Sequence, residues 1–130
     1  GIRSGIVDAI ATDHAPHSEE DKLKGMAGMV GSETAFGVCY TKLCKQEGLP
    51  LEVLVHLMST RPAEIRGLAK GQLEPGYDAD FVLVDLDTPY TVDKDKLHSK
   101  SHNTPFDGVE LYGKVCATIK GGKITYQAEA

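Results

Sequence analysis

The run Asp13-His14-Ala15-Pro16-His17 puts a carboxylate and two imidazoles into one short stretch of chain. An ionised aspartate can ligate a divalent metal, and it can accept a proton from a water whose acidity that metal has raised. A neutral imidazole donates one hydrogen bond, and a protonated one binds an anion. A proline-containing turn separates Asp13 from His17, a spacing that lets both side chains face one pocket while His14 faces elsewhere. Taken alone, the D-H-x-x-H pattern supports two readings, because a metal site takes three or four ligands. Either the cluster is a functional site, or Asp13 caps a loop and both histidines are solvated. His56 falls in a helical pattern and reads as a packed or surface residue, whereas His98 and His102 fall in a polar loop.

The elements around this cluster explain its position. Ile6 to Thr12 is short, mostly apolar and β-compatible, and reads as a buried strand that delivers Asp13 at its carboxyl end. In parallel α/β folds, catalytic groups sit at that end, where the loops vary and the sheet below holds them still. Ser18 to Gly31 reads as a charged loop closing in Gly25-Met26-Ala27-Gly28-Met29-Val30-Gly31, whose glycines permit close backbone approach to a ligand. A helix is expected over Glu33 to Glu47, with Phe36, Cys39, Tyr40 and Leu43 on one face and Gly48 as its stop. A second helix opens after Pro50 with the stripe Leu51, Leu54, Val55 and Met58, and Arg61-Pro62 is expected to interrupt it before a last turn to Arg66.

Beyond Leu68 the pattern becomes β. The turn-rich stretch Gly71 to Asp80 feeds Phe81-Val82-Leu83-Val84, an apolar run that fits a strand covered on both faces. Val115 to Lys120 alternates, and Gly121-Gly122 separates it from Ile124-Thr125-Tyr126, which predicts a two-residue hairpin. The expected organisation is two units: residues 1–67, mixed strand and helix, and residues 68–130, a small composite β domain.

Composition narrows the function classes. With 14 Lys plus Arg against 19 Asp plus Glu and a net charge of −5, the chain lacks the basic stripe that phosphate backbones select, so nucleic acid is not an expected partner. No apolar run reaches the roughly 20 residues of a spanning helix and no signal peptide is evident, which points to a cytoplasmic location without membrane partners. The three cysteines, 39, 44 and 116, form no C-x-x-C pair and read as small buried hydrophobes rather than a disulfide framework. The chain begins with Gly and its first element already reads as an interior strand, as expected for a piece of something larger.

Several segments together are distinctive. Ala11-Thr12-Asp13-His14-Ala15-Pro16-His17 resembles the last barrel-strand motif of dihydroorotases in the amidohydrolase superfamily. Gly28 to Thr34, Gly71 to Asp80 and Ser99-Lys100-Ser101-His102-Asn103-Thr104-Pro105-Phe106 recur in the same order in that family, so the resemblance covers nearly the whole chain. The G-x-L-x-x-G-x-D-A-D segment is shared by many amidohydrolases. A-T-D-H-A-P-H with S-K-S-x-N-T-P-F points to dihydroorotase over hydantoinase or allantoinase.

The resemblance implies an α/β fold: the C-terminal part of a (β/α)8 barrel, with its last strand and helices, plus part of a small β-sandwich domain. It implies one or two zinc ions, most of whose ligands lie outside this chain. Asp13 matches the aspartate that ligates zinc and moves a proton, His17 the histidine that holds the substrate carboxylate, and Ala27 and Gly28 the loop pair whose backbone contacts the ring. Ala27 stands where a bulkier residue is common. The implied reaction is reversible hydrolysis of the cyclic amide of dihydroorotate to N-carbamoyl-L-aspartate, in pyrimidine biosynthesis, with the isolated chain inactive. The implied partner is that small molecule, and self-association into a homo-oligomer is compatible with it. Two alternatives are a catalytically silent, dihydroorotase-like scaffold subunit and a related hydantoinase- or allantoinase-type cyclic amidase. The Ser99 to Phe106 segment reads as a structural loop whose short polar side chains bond their own backbone.

Overall fold

The structure, a computed structural model, describes residues 1–129; Ala130, the last residue of the expected β unit, lies outside them. Helices come first and strands follow. Helix α1 spans Glu19–Leu23, α2 Ala35–Cys39, α3 Leu51–Val55 and α4 Arg61–Ile65, and the strands are β1 Phe81–Asp85, β2 Tyr90–Thr91, β3 Glu110–Leu111, β4 Lys114–Lys120 and β5 Lys123–Gln127.

Ile6 to Thr12 departs from the expected buried strand. It is extended, but no ladder forms along it among the described residues, and Ile6 is 78% exposed. Its firmest tie is the Ile10 N–H, which donates to the Leu57 carbonyl at 3.0 Å. A strand needs neighbours to take up its N–H and C=O groups, and none of the described residues lines both its edges. The supposed charged loop after it contains α1, because the Ser18 side chain accepts from the Asp21 N–H at 3.1 Å and the first turn is acidic.

The two longer helical runs follow the expected spans more closely. Helix α2 continues in the wider π geometry over Tyr40–Gln46 and stops at Gly48, whose φ of +66° suits glycine. Phe36, Cys39, Tyr40 and Leu43 face inward as expected. Helix α3 passes through a π segment, His56–Thr60, directly into α4, so Arg61-Pro62 does not interrupt the run. A wider turn ahead of Pro62 makes room for its ring, and the missing N–H then costs only one bond. The same widening turns Leu57 inward and leaves Val55, expected on the stripe, outside.

Leu54 is fully buried against Tyr40 and Leu49, with Phe36, Leu43, Leu86 and Tyr112 packed around them. Burying one leucine side chain this way contributes about 1.5–3 kcal/mol. The strands form a three-stranded antiparallel sheet in the order β1-β4-β5 and a separate β2-β3 pair. The predicted hairpin is present: Gly121 and Gly122 connect β4 to β5 with φ of +56° and +73°, the positive angles a two-residue turn with the right twist requires. Strand β1 is not covered on both faces, for Leu83 at its centre is 54% exposed. Its apolar run pairs along one edge with β4, and the described residues supply no layer over it.

Helix α2 and the β segments meet closely. The Tyr112 N–H donates to Thr41 Oγ1 at 2.8 Å, and a side chain at Gly113 would collide with Phe36, 2.9 Å from the Cβ position. Glycine at 113 therefore lets the strand lie flat on the aromatic face of α2.

Candidate active site

Asp13 is the non-glycine residue with positive φ among the described residues, at +49°. Aspartate tolerates this left-handed conformation better than most side chains. The chain then runs beside the glycine-rich loop. His14 and Met29 form a parallel bridge, and the Ala15 N–H donates to the Met29 carbonyl at 2.9 Å. Segment 13–17 and segment 28–31 thus lie edge to edge; the glycines suggested close approach to a ligand, and the approach seen is that of the chain's own backbone.

His14 turns toward that loop. Its Nδ1 accepts from the Gly31 N–H at 3.0 Å and from the Ser32 N–H at 3.3 Å. A ring nitrogen that accepts carries no proton, so in the neutral ring Nε2 bears it. His17 is half-buried and lies against Gly28: a Cβ at residue 28 would stand 3.0 Å from His17 Cδ2, 2.8 Å from the Ala15 carbonyl and 2.9 Å from Ala15 Cβ. With φ at +132°, residue 28 has glycine for both conformation and space.

Of the residues expected from the sequence, the fold brings His17 and Gly28 into contact, and Ala27 adjoins them, exposed, through its peptide link to Gly28. Asp13 is solvent-exposed and joins the group through the run it shares with His17. Among the described residues no three His, Cys, Asp or Glu side chains converge as a metal set. Asp13 therefore belongs to no complete metal set among the described residues.

Three residues in this neighbourhood were not singled out from the sequence. Asn103 Nδ2 donates to the Gly28 carbonyl at 2.7 Å, and the Val30 N–H donates to the Asn103 carbonyl at 2.9 Å. Lys22 Nζ donates to the Met26 and Gly28 carbonyls, both at 2.8 Å. Glu33 accepts from the backbone N–H groups of His98 at 2.9 Å and Ser99 at 3.0 Å, and its Oε2 lies 3.0 Å from His98 Nδ1. Partial burial opposes ionisation of Glu33, but these His98 and Ser99 contacts outweigh it and hold its carboxyl below its ordinary value. The distinctive Ser99 to Phe106 motif is the sequence signal for Asn103, and its short polar side chains suggest a self-bonded loop. That holds in part: the Asn103 N–H donates to Ser101 Oγ at 3.4 Å.

Comparison with known proteins places the chain in a family. A family model described as "Amidohydrolase family" matches residues 2–126. The chain is similar to a dihydroorotase of Clostridium botulinum (strain Eklund 17B / Type B), with 53% identity over 126 residues covering 97% of this chain and 32% of the relative. It is similar also to a dihydroorotase of Bacillus subtilis (strain 168), with 43% identity over 131 residues covering 98% and 31%. Among solved structures it resembles L-hydantoinase (dihydropyrimidinase) from Arthrobacter aurescens at a TM-score of 0.90 and 32% identity, covering 97% of this chain and 30% of that one. The chain spans about a third of the length of these relatives.

Proposed function

The chain belongs to the amidohydrolase family, and on that premise we propose that it is the part of a dihydroorotase that carries the last barrel strand, its helices and most of a small β-sandwich domain. Residues 1–67 make up the barrel portion and residues 68–130 the β portion. The complete enzyme hydrolyses the cyclic amide of dihydroorotate reversibly to N-carbamoyl-L-aspartate, a step of pyrimidine biosynthesis, in the cytoplasm. No helix among the described residues is long and apolar enough to cross a membrane.

Two observations support this reading together: the His17 ring packed on Gly28 beside Asp13, and the high identity to dihydroorotases along nearly the whole chain. One or two zinc ions, ligated by Asp13 and by side chains from the rest of the enzyme, supply Lewis acidity toward the ring carbonyl when bound. Asp13 holds and moves the proton that must reach the amide nitrogen as the ring opens, a task suited to an exposed carboxylate at the mouth of the site. His17 binds the carboxylate of the substrate, and its place against Gly28 sets that anion beside the loop whose Ala27 and Gly28 backbone meets the ring. Gly28, lacking a side chain, permits this approach.

A second reading, a hydantoinase-type cyclic amidase, draws on the likeness to L-hydantoinase. Higher identity to dihydroorotases favours the first. Steady-state hydrolysis by the full-length protein of dihydroorotate, hydantoin and dihydrouracil separates the two. The expected result is preference for dihydroorotate, with His17→Ala raising its KM about tenfold or more, as for a lost charge-assisted hydrogen bond. Preference for hydantoin or dihydrouracil, or an unchanged KM in the variant, overturns the assignment.

A further inference from the structure

The Gly28 carbonyl is served by two side-chain donors, one near it in sequence and one far away. Asn103, 75 residues away in sequence, donates through Nδ2 at 2.7 Å, and Lys22 donates through Nζ at 2.8 Å. Asn103 grips the same segment a second time, since its own carbonyl accepts from the Val30 N–H at 2.9 Å. Residues 28 and 30 are therefore both fixed to one asparagine. This matters because residue 28 has almost no slack: Ala15 and His17 stand within 3.0 Å of where its Cβ would be.

Asn103 is itself framed. Ser101 is buried and its Oγ accepts from the Asn103 N–H at 3.4 Å, while the Ser101 N–H donates to Ser99 Oγ at 3.3 Å and the Ser99 N–H to Glu33 Oε1 at 3.0 Å. The short polar side chains of this segment form a succession of turns that ends by presenting one amide to the glycine loop. Chemistry fixes the orientation of that amide, because a carbonyl oxygen accepts only from the NH2 end.

We infer that Asn103 is a positioning residue for the substrate-binding loop: with Lys22 it holds the Gly28 carbonyl, so that the Ala27–Gly28 backbone and the His17 ring keep the geometry that receives the substrate. This rests on the proposed reading of the site. Asn103 touches no reacting atom in that scheme; it acts on binding through Gly28 and leaves the proton transfer at Asp13 alone. Loss of its donor therefore raises KM more than it lowers kcat.

The experiment uses the full-length, zinc-loaded protein and three variants, Asn103→Ala, Asn103→Asp and Lys22→Met. Asn103→Asp keeps the shape of the side chain but replaces the donor with an oxygen that repels the Gly28 carbonyl, so a role in packing alone tolerates it. The expected result is a KM for dihydroorotate about tenfold higher in both Asn103 variants, the size of one lost hydrogen bond, with kcat within about threefold of the parent. Faster amide hydrogen exchange over residues 25–31 should accompany it. Parental KM and parental exchange in Asn103→Asp overturn the inference. Should both Asn103 variants fail to fold, Lys22→Met reads the same carbonyl: a raised KM supports the inference, and an unchanged KM with unchanged exchange overturns it. A parent protein that does not hydrolyse dihydroorotate refutes the functional reading instead. Exchange over 25–31 then decides alone, faster in Asn103→Asp if the asparagine holds the loop and unchanged if it does not.

Discussion

At residue 13 the backbone constrains the chemistry as much as the side chain does. A φ of +49° is one that asparagine adopts as readily as aspartate, so Asp13→Asn removes the charge while keeping the turn. In the full-length enzyme this variant should lose at least about a hundredfold in kcat/KM, in line with removal of a general base, with a melting temperature close to that of the parent. Near-parental turnover would exclude Asp13 from proton transfer. Residue 28 is constrained in the opposite sense, by the lack of room for any side chain. Gly28→Ala drives a methyl group against the Ala15 carbonyl and His17 at an unfavourable φ, a strain of about 1–3 kcal/mol. The expected outcome is a lower unfolding midpoint together with weaker dihydroorotate binding, both read from one denaturation series and one kinetic series. An alanine variant with parental values in both would mean that the loop is free to move. The polar run 13–17 and the glycines of 25–31 stood out in the sequence because their signal is local, and the structure packs His17 of the one against Gly28 of the other. The motif around Asn103 stood out, but the bond from Asn103 to Gly28 did not, since it joins positions 75 residues apart and no spacing rule reaches that far.

Among the elements, the anchoring of the 98–103 segment on the start of α2 carries a pH signature. Glu33 titrates below its ordinary 4.5 in the folded protein. The stabilisation it provides is therefore complete above that ordinary value and is lost as pH falls through the lowered one. Comparing urea midpoints of the parent and Glu33→Gln should give a gap that is widest near neutral pH and closes below about 4.5. A gap that stays constant from pH 7 to pH 3.5 would contradict the His98 and Ser99 contacts as its source. The helix faces and the Gly121-Gly122 hairpin followed the sequence because period and turn residues are short-range properties. Two expectations failed for physical reasons that periodicity does not contain. The π segment before Pro62 let the helix absorb a proline and exchanged Val55 for Leu57 at the core. The apolar runs Ile6 to Thr12 and Phe81 to Val84 announced burial without specifying by what, and the described residues do not bury them.

For the whole molecule, those uncovered runs set its behaviour. Ile6, Leu73, Leu83 and Ile124 are each more than half exposed, far apart in sequence and on both the helical and the β portions. Strand β1 is moreover an edge of its sheet, and an apolar edge strand left unpaired promotes association in water. The 130-residue chain by itself should self-associate at micromolar concentration and hydrolyse no dihydroorotate. Sedimentation velocity and a direct hydrolysis assay check this, and a monomer with turnover would refute it. The grip of Asn103 on Gly28 also bears on where the gene tolerates interruption. A stop codon anywhere between the codons for residues 35 and 102 leaves Asp13, His17, Ala27 and Gly28 untouched, so by its active-site inventory the product looks intact. It would nonetheless lack β3, β4 and β5 as well as the amide that steadies the loop. A stop within codons 35–102 is therefore expected to be null even though Asp13, His17, Ala27 and Gly28 are still translated.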